Sequence, residues 1–198
     1  MSSRTTILAA INNNKPTFIK APAPQERTAD IDIEALLSTF IHTLKSIGGE
    51  AVIANSYEEI KTDLLKRIPA GAYLVNTIPG LGRVNGEVNA MSGADTLGKV
   101  ERACIAGAIG VAENGAVWVD EAQMVNRLLP FICQHLSLVI NAGDIVSDMH
   151  QAYDRINIAK EGYGAFIAGP SKTADIEQSL VIGAHGARSL IVYLIKNN

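Results

Sequence analysis

Two spacings of hydrophobic residues alternate along the chain. Short and nearly continuous apolar runs are typical of buried strands, and they occur at residues 51–55, 72–78, 136–140, 165–169 and 189–195. Apolar residues at helical spacing fill several of the segments between these runs. This alternation favours a sheet that is covered by helices on both faces. We therefore predict an α/β fold with three layers in the order α/β/α.

Apolar spacing and helix-ending residues predict four helices in the main part of the chain. They cover residues 33–44, 57–68, 147–160 and 173–184. Gly48 and Gly49 end the first of them. Strand 51–55, helix 57–68 and strand 72–78 follow one another with short connections. We therefore expect a right-handed parallel crossover here.

The middle of the chain has a different pattern. Residues 103–112 and 116–121 are two strand-like runs on either side of Asn114-Gly115. Asn-Gly is typical of the type I′ turn of a hairpin, because both central residues of that turn need positive φ. The hairpin adds an antiparallel pair, so the predicted sheet is mixed.

The first residues predict a peripheral segment. Ser2 or Ser3 can cap a short helix that ends at about Asn13. Prolines at positions 16, 22 and 24 exclude a regular element after this helix. We predict a helical arm with a proline-rich linker at residues 1–29 and a single folded domain at residues 30–198.

Composition excludes several classes of protein. The chain has 198 residues, 47% of them hydrophobic, and a net charge of -3, so clustered cations that would bind nucleic acid are not expected. No apolar run approaches the ~18 residues of a membrane span. The N-terminus lacks the features of a secretory signal. We therefore expect a cytoplasmic protein. Its two cysteines, Cys104 and Cys133, have no metal-binding spacing.

The segment 169–178 raises two interpretations that the residues leave open. Gly169-Pro170 ends a predicted strand, and Ser171 and Thr173 stand where the next predicted helix begins. Their hydroxyl groups can cap the free backbone N–H groups, or the same N–H groups can bind an anion.

Charged residues lie at both ends of that predicted helix. Asp175 and Glu177 in its first turn complement the helix dipole, which favours capping. His185 lies at the other end beside Gly183, where it is either a cation at the helix end or a ligand. No metal site is expected at any histidine.

Residues 169–190 resemble the C-terminal signature of the lactate utilisation domain family, the LUD or LutC/YkgG family, which ends in His-Gly. Residues 105–119 are similar to a second stretch of that family. The resemblance implies a Rossmann-like fold of the NagB/RpiA/CoA-transferase group. It also implies a non-redox subunit that works beside iron–sulfur partner proteins in oxidising L-lactate to pyruvate. Two cysteines cannot hold such a cluster, so we expect the clusters in the partners.

The same resemblance supplies candidate site residues. The ligand-binding candidates are Asn114, Gly169, Ser171, Thr173, Glu177 and His185, and Asp175 is a catalytic candidate. We expect them to converge with Glu113 at the carboxyl ends of the strands and to bind a small anion. At 113–116, however, the chain lacks the hydroxyl groups that family members often carry, so no role for those groups is transferred.

Two alternatives remain open. Glu113-Asn114-Gly115 resembles the turn of CoA-transferases in which a glutamate attacks an acyl-CoA, and it is equally an ordinary hairpin turn. The chain would then be an acyl-CoA-dependent transferase or hydrolase. In the second alternative it is a pure protein-interaction module, and the signature only builds a turn.

Overall fold

The structure is a computed structural model that describes residues 2–21, 32–82, 84–176 and 179–196. The chain divides into two compact units, Met1–Asp30 and Ile31–Asn198. In the first unit, helix α1 (Ser3–Asn13) starts at Ser2, whose hydroxyl accepts a hydrogen bond from Thr5 N at 3.4 Å. The predicted N-terminal helix is confirmed.

The second unit holds the other helices and the strands. The helices are α2 (Ile33–Ser46), α3 (Tyr57–Lys66), α4 (Ala94–Leu97), α5 (Glu121–Met124), α6 (Leu129–Ile132), α7 (Met149–Arg155) and α8 (Ile158–Glu161). The strands are β1 (Glu50–Ala54), β2 (Tyr73–Asn76), β3 (Val100–Ala106), β4 (Ile109–Val111), β5 (Ala116–Asp120), β6 (His135–Asn141), β7 (Ile145–Val146), β8 (Gly164–Ile167), β9 (Lys172–Ile176), β10 (Ser179–Ile182) and β11 (Ser189–Ile195). Among the helices of the described residues, none has the length and apolar character that a membrane span requires.

The central sheet is parallel throughout. Its strands lie in the order β1-β11-β6-β3-β2, and every neighbouring pair is parallel. β1 and β2 are therefore parallel, as predicted. They lie on opposite edges of the sheet, however, because three later strands are inserted between them.

Helices flank this sheet on both faces. On one face, Ile60 and Leu64 of α3 pack against Cys104 and Tyr193. On the other face, Phe40 of α2 packs in a core that also contains strand residues of a second sheet; its members include Leu44, Ile105, Val117, Leu138 and Val192. The predicted Rossmann-like α/β class is confirmed, since helices cover a parallel sheet.

A second sheet contains antiparallel pairs, and its strand order is β7-β4-β5-β8. The predicted hairpin is present as β4 and β5. Its turn is not type I′, because only Gly115 has positive φ, at 68°, while Asn114 does not. Ala112 N donates to Val146 O at 2.9 Å, which ties the turn to β7. The predicted antiparallel pair is thus present in the protein, but it lies outside the central sheet, which is not mixed.

The predicted helix at residues 173–184 is wrong. This segment forms the antiparallel strands β9 and β10, with Thr173 opposite Val181. Its β-branched residues favour extended backbone. The base of the hairpin is closed by two hydrogen bonds, from Ser171 N to Ala187 O at 2.8 Å and from Gly183 N to Ser171 O at 3.0 Å.

The predicted helix at residues 147–160 is two short helices, α7 and α8. Asp148 caps α7, and Ile156 after it has extended backbone with φ -85° and ψ 131°. Asn157 then starts α8, because its side-chain oxygen accepts a hydrogen bond from Lys160 N at 3.2 Å. A second capping residue inside the periodic segment therefore divided the helix.

Candidate functional site at the amino edge of the central sheet

The segment that carries the family resemblance begins with a corner packed against the end of α2. Gly169 has a φ of 72°, and a Cβ there would lie 2.8 Å from the carbonyl oxygen of Ile47. Pro170 packs on Gly48, and Lys172 Nζ donates a hydrogen bond to Ile47 O. The residues after α2 lead directly into β1. The corner, formed by Gly169 and Pro170, therefore lies where the parallel strands of the central sheet begin. We call this edge the amino edge and this corner the signature corner.

Ser171 and Thr173 lie in a strand hairpin and not at a helix start. The backbone N–H and the carbonyl oxygen of Ser171 are both hydrogen-bonded at the base of the hairpin, and Thr173 belongs to β9. The helix-capping interpretation and the interpretation of a helix N-terminus as an anion site both fail, because no helix begins here. Any ligand role of these two residues has to come from their side chains.

The remaining candidates of the signature are spread along the hairpin and the loop after it. Asp175 lies in β9, and Glu177 lies outside the described residues. His185 is exposed in the loop that precedes β11. It is not at the end of a helix, so the interpretation of a helix-end cation is wrong. Gly186 beside it packs on Ser171, whose Oγ lies 3.2 Å from the place of a Cβ on that glycine.

Glu113 and Asn114 have structural partners in the β4–β5 turn. Glu113 Oε1 accepts a hydrogen bond from Met149 N, the first residue of α7, at 2.8 Å. Asn114 Oδ1 accepts one from Ala116 N at 3.0 Å. Glu113 is exposed. A nucleophilic glutamate needs a desolvated pocket, so this geometry gives the acyl-CoA alternative no support.

The turn and the signature corner are nevertheless neighbours. A Cβ on Gly115 would lie 3.3 Å from Ile47 Cδ1, and a Cβ on Gly169 would lie 3.4 Å from the same atom. The two segments meet at the end of α2. The prediction that they gather at the carboxyl ends of the strands is wrong, because their meeting place is the amino edge.

A row of polar residues crosses the same edge of the sheet. Ser189 of β11 is in register with His135 of β6, and His135 is in register with Arg102 of β3. Residues in one register position of a parallel sheet point to the same face. This row lies on the face that α3 covers, because Tyr193, four residues after Ser189 along β11 and therefore on the same face, packs with α3.

His135 is held from two sides. Its Nδ1 is hydrogen-bonded to Ser189 Oγ at 2.8 Å, and its Nε2 lies 3.6 Å from Glu101 Oε1. Burial lowers the pKa of His135, the positive charges of Arg102 and Arg188 lower it further, and Glu101 opposes them in part. The imidazole is therefore neutral near pH 7.

Arg102 is a buried cation that no carboxylate of the described residues neutralises. Its side chain is 5% exposed, and Nη1 donates a hydrogen bond to Ser137 Oγ at 3.1 Å. Its Nε is buried and has no hydrogen-bond partner. No acidic side chain of the described residues pairs with it. Burial lowers the pKa of Arg102.

Arg102 lines a cavity of about 280 Å³ at this edge. The other lining residues are Gly48, Gly49, Glu50, Arg67, His135, Ser189, Leu190 and Ile191. Arg67 is neutralised by a bidentate pair with Glu50 at 2.7 and 2.9 Å and by Asp63 at 2.6 Å. Arg102 is thus the lining cation that has no carboxylate partner among the described residues.

Sequence reasoning did not find this row. The available signal was Arg102, which directly precedes the apolar residues 103–106 of the strand Val100–Ala106, because a charged side chain at a buried strand position needs a partner. Cys104 and Cys133 are both buried, and burial raises the pKa of each thiol to about 12. No cluster of three or more metal-ligating side chains occurs in the part of the chain that the structure describes.

The class of the protein follows from the sheet and its helices: it is a Rossmann-like α/β protein. A solved structure has the same fold, the crystal structure of a DUF162 family protein from Deinococcus radiodurans. Its TM-score is 0.64 at 17% identity, and the match covers 83% of this chain and 99% of that one.

Residues 101–195 match the family model of the LUD domain, so the predicted resemblance to that family is confirmed over this segment. The chain is 35% identical over 91 residues to "Lactate utilization protein C" of Bacillus pumilus (strain SAFR-032), with 43% of this chain and 38% of that protein covered. It is 32% identical over 117 residues to the protein of the same name from Bacillus subtilis (strain 168), with 54% and 49% covered. The matches thus span less than half of the length of these relatives.

Proposed function

We propose that the chain is a subunit without its own redox cofactor in an L-lactate utilisation system, where it acts with iron–sulfur partner proteins and binds a small anion. The match of residues 101–195 to the LUD domain, together with relatives named lactate utilization protein C, carries the proposal. At 32 to 35% identity these relatives support the process rather than a particular step.

The chemistry of the chain supports the division of labour. Its two cysteines are buried and hold their protons, so they cannot supply the four thiolate ligands of an iron–sulfur cluster. Electron transfer from lactate then belongs to the partners. The buried thiols also suit the reducing cytoplasm, where we place the protein.

The β9–β10 hairpin is the part of the family signature that we assign to the working surface. It pairs with the rest of the protein at its base, through Ser171 and the loop before β11. Asp175 lies in this hairpin, and a carboxylate there can orient a partner or a hydroxyl group of a substrate. We therefore keep Asp175 as the test residue.

The direct experiment measures lactate-dependent reduction of an artificial acceptor by the co-expressed iron–sulfur partners. We expect activity to require this chain and to fall at least about tenfold with Asp175→Asn, as for the loss of one charge-assisted hydrogen bond. Asp154→Asn is the matched control, because Asp154 is an exposed carboxylate on α7.

Two results would count against the proposal. Activity that is the same with and without the chain, and no complex with the partners, would remove the lactate role. Asp175→Asn that lowers the melting temperature but leaves the rate of the assembled complex unchanged would favour the interaction module.

A further inference from the structure

We propose that the cavity at the amino edge is a binding site for a small monocarboxylate, whose carboxylate accepts hydrogen bonds from the Arg102 guanidinium. The inference rests on the proposed function only for the notion of a small anionic ligand, and it names that ligand's class and its place. None of the site residues predicted from the sequence is needed for it.

The buried guanidinium is the first argument. An ionised group out of water is costly unless it is paired and hydrogen-bonded, and Arg102 has one serine partner and an unpartnered Nε. An arginine side chain does not lose its proton in proteins. An anion in the cavity that Arg102 lines would supply the missing counter-charge.

The charges of the wall decide the class of anion. Arg67 already has Glu50 and Asp63 as partners, so the wall offers one uncompensated positive charge, that of Arg102. Glu50 itself lines the cavity and repels a second negative charge. A monoanion therefore fits better than a phosphate dianion.

The geometry favours a carboxylate among monoanions. The planar guanidinium presents parallel N–H groups that match the two oxygens of a carboxylate. Ser189 and His135 stand in the same row and are hydrogen-bonded to each other, so the serine hydroxyl and the neutral ring can bind a hydroxyl or keto oxygen beside the carboxylate. A cavity of about 280 Å³ suits an acid of a few carbon atoms.

The site also adjoins the family signature. Gly48 lines the cavity and, on its other side, packs on Pro170 of the signature corner. Lys172 of β9 donates a hydrogen bond to the residue before Gly48. A ligand at Arg102 can therefore affect the base of the hairpin through one shared turn.

The experiment uses this chain alone and measures thermal unfolding with sodium pyruvate or sodium L-lactate against sodium chloride at equal ionic strength. We expect saturating acid to raise the Tm by about 5 °C. Arg102→Met should abolish this rise, and Arg102→Lys should weaken the affinity at least about tenfold because the fork of donors is lost. Arg155→Met, at an exposed arginine of α7, should retain the full rise.

Ser189→Ala is a second test variant in case Arg102→Met does not fold, because it leaves the guanidinium in place. We expect Ser189→Ala to weaken the affinity for the acid severalfold, because the hydroxyl group is lost. The proposal is overturned if neither acid raises the Tm, if Arg102→Met shows the same rise, or if sodium phosphate gives the larger rise. Because no partner protein is present, such a result would leave the test of the lactate system standing.

Discussion

At the carboxyl edge of the central sheet the polar side chains close turns, whereas at the amino edge a buried cation has no carboxylate partner within the part of the chain that the structure describes. Asn76, at the end of β2, donates to Ile78 O at 2.8 Å and to Gly82 O at 2.9 Å and accepts from Ile78 N at 2.9 Å. Asn141, at the end of β6, accepts from Gly143 N at 2.8 Å. These groups are satisfied by the chain itself.

The amino edge differs although its cavity is smaller. The cavity beside Asn76 measures about 350 Å³, against about 280 Å³ for the one beside Arg102. Ligands in open α/β sheets usually lie at the carboxyl ends of strands. Here the unsatisfied chemistry lies at the other end, so the placement of a site follows from the unpartnered group and not from the fold.

The largest expected effect is on the corner that supports the amino edge. Gly169→Ala should lower the free energy of unfolding by about 3 kcal/mol, because positive φ and a clash with Ile47 O add together. Gly71→Ala is the matched control, since Gly71 has a φ of 80° and no atom within 4 Å of its Cβ position. It should cost about 1 kcal/mol. Urea unfolding measures both, and equal losses would show that the corner is not tightly packed.

The next effect concerns the satisfied edge. Asn76→Ala should lower the free energy of unfolding by about 2 kcal/mol, because the variant loses the two hydrogen bonds that the Asn76 side chain donates and the one that it accepts. Asn76→Asp keeps the oxygen that accepts from Ile78 N, so its free energy of unfolding should lie between those of Asn76→Ala and the wild type. If Asn76→Ala unfolds at the same urea concentration as the wild type, the turn does not depend on this side chain.

The unsatisfied edge should respond in the opposite way. Arg102→Met replaces a poorly compensated buried charge with an apolar chain of similar length, so the free energy of unfolding should stay equal or rise by about 1 kcal/mol. Urea unfolding without added carboxylic acid tests this. A loss above about 2 kcal/mol would mean that the guanidinium stabilises the sheet and that the contrast between the edges is false.

The smallest effect is the pH dependence from His135. Its pKa is lowered in the folded protein, so the unfolded chain binds more protons as the pH falls below the unfolded value of about 6.5. Stability from this residue is present above that pH and is lost below it. His135→Gln should flatten the decline in Tm below pH 6.5. Parallel curves of Tm against pH for the wild type and His135→Gln would contradict the assignment.

The central strands were predictable because their apolar runs are continuous. Residues 136–140 and 189–195 lie within β6 and β11, which are almost fully buried. The hairpin of residues 172–182 was not predictable in the same way, since its apolar residues also fit a helical spacing. The hydrogen bonds of Ser171 close the base of the strand hairpin. They join residues that are up to 16 positions apart, Ser171 and Ala187, and such pairs cannot be read from local spacing.

The candidate site was missed for a related reason. The predicted strand began at residue 103, whereas β3 begins at Val100 and includes Arg102. A charged pair such as Glu101-Arg102 looks like the end of a strand in the sequence. Only the register that places Arg102 beside His135 shows that the arginine is inside the sheet.

The most direct test of the amino-edge site is an NMR titration of the His135 ring with and without sodium pyruvate. A carboxylate bound to Arg102 would bring negative charge into the cavity and offset the positive charge that lowers the pKa of His135. We predict a higher pKa of His135 with pyruvate in the wild type, and no change in the pKa of His135 with pyruvate in Arg102→Met. An unchanged pKa of His135 at pyruvate concentrations that saturate any Tm rise would contradict the account.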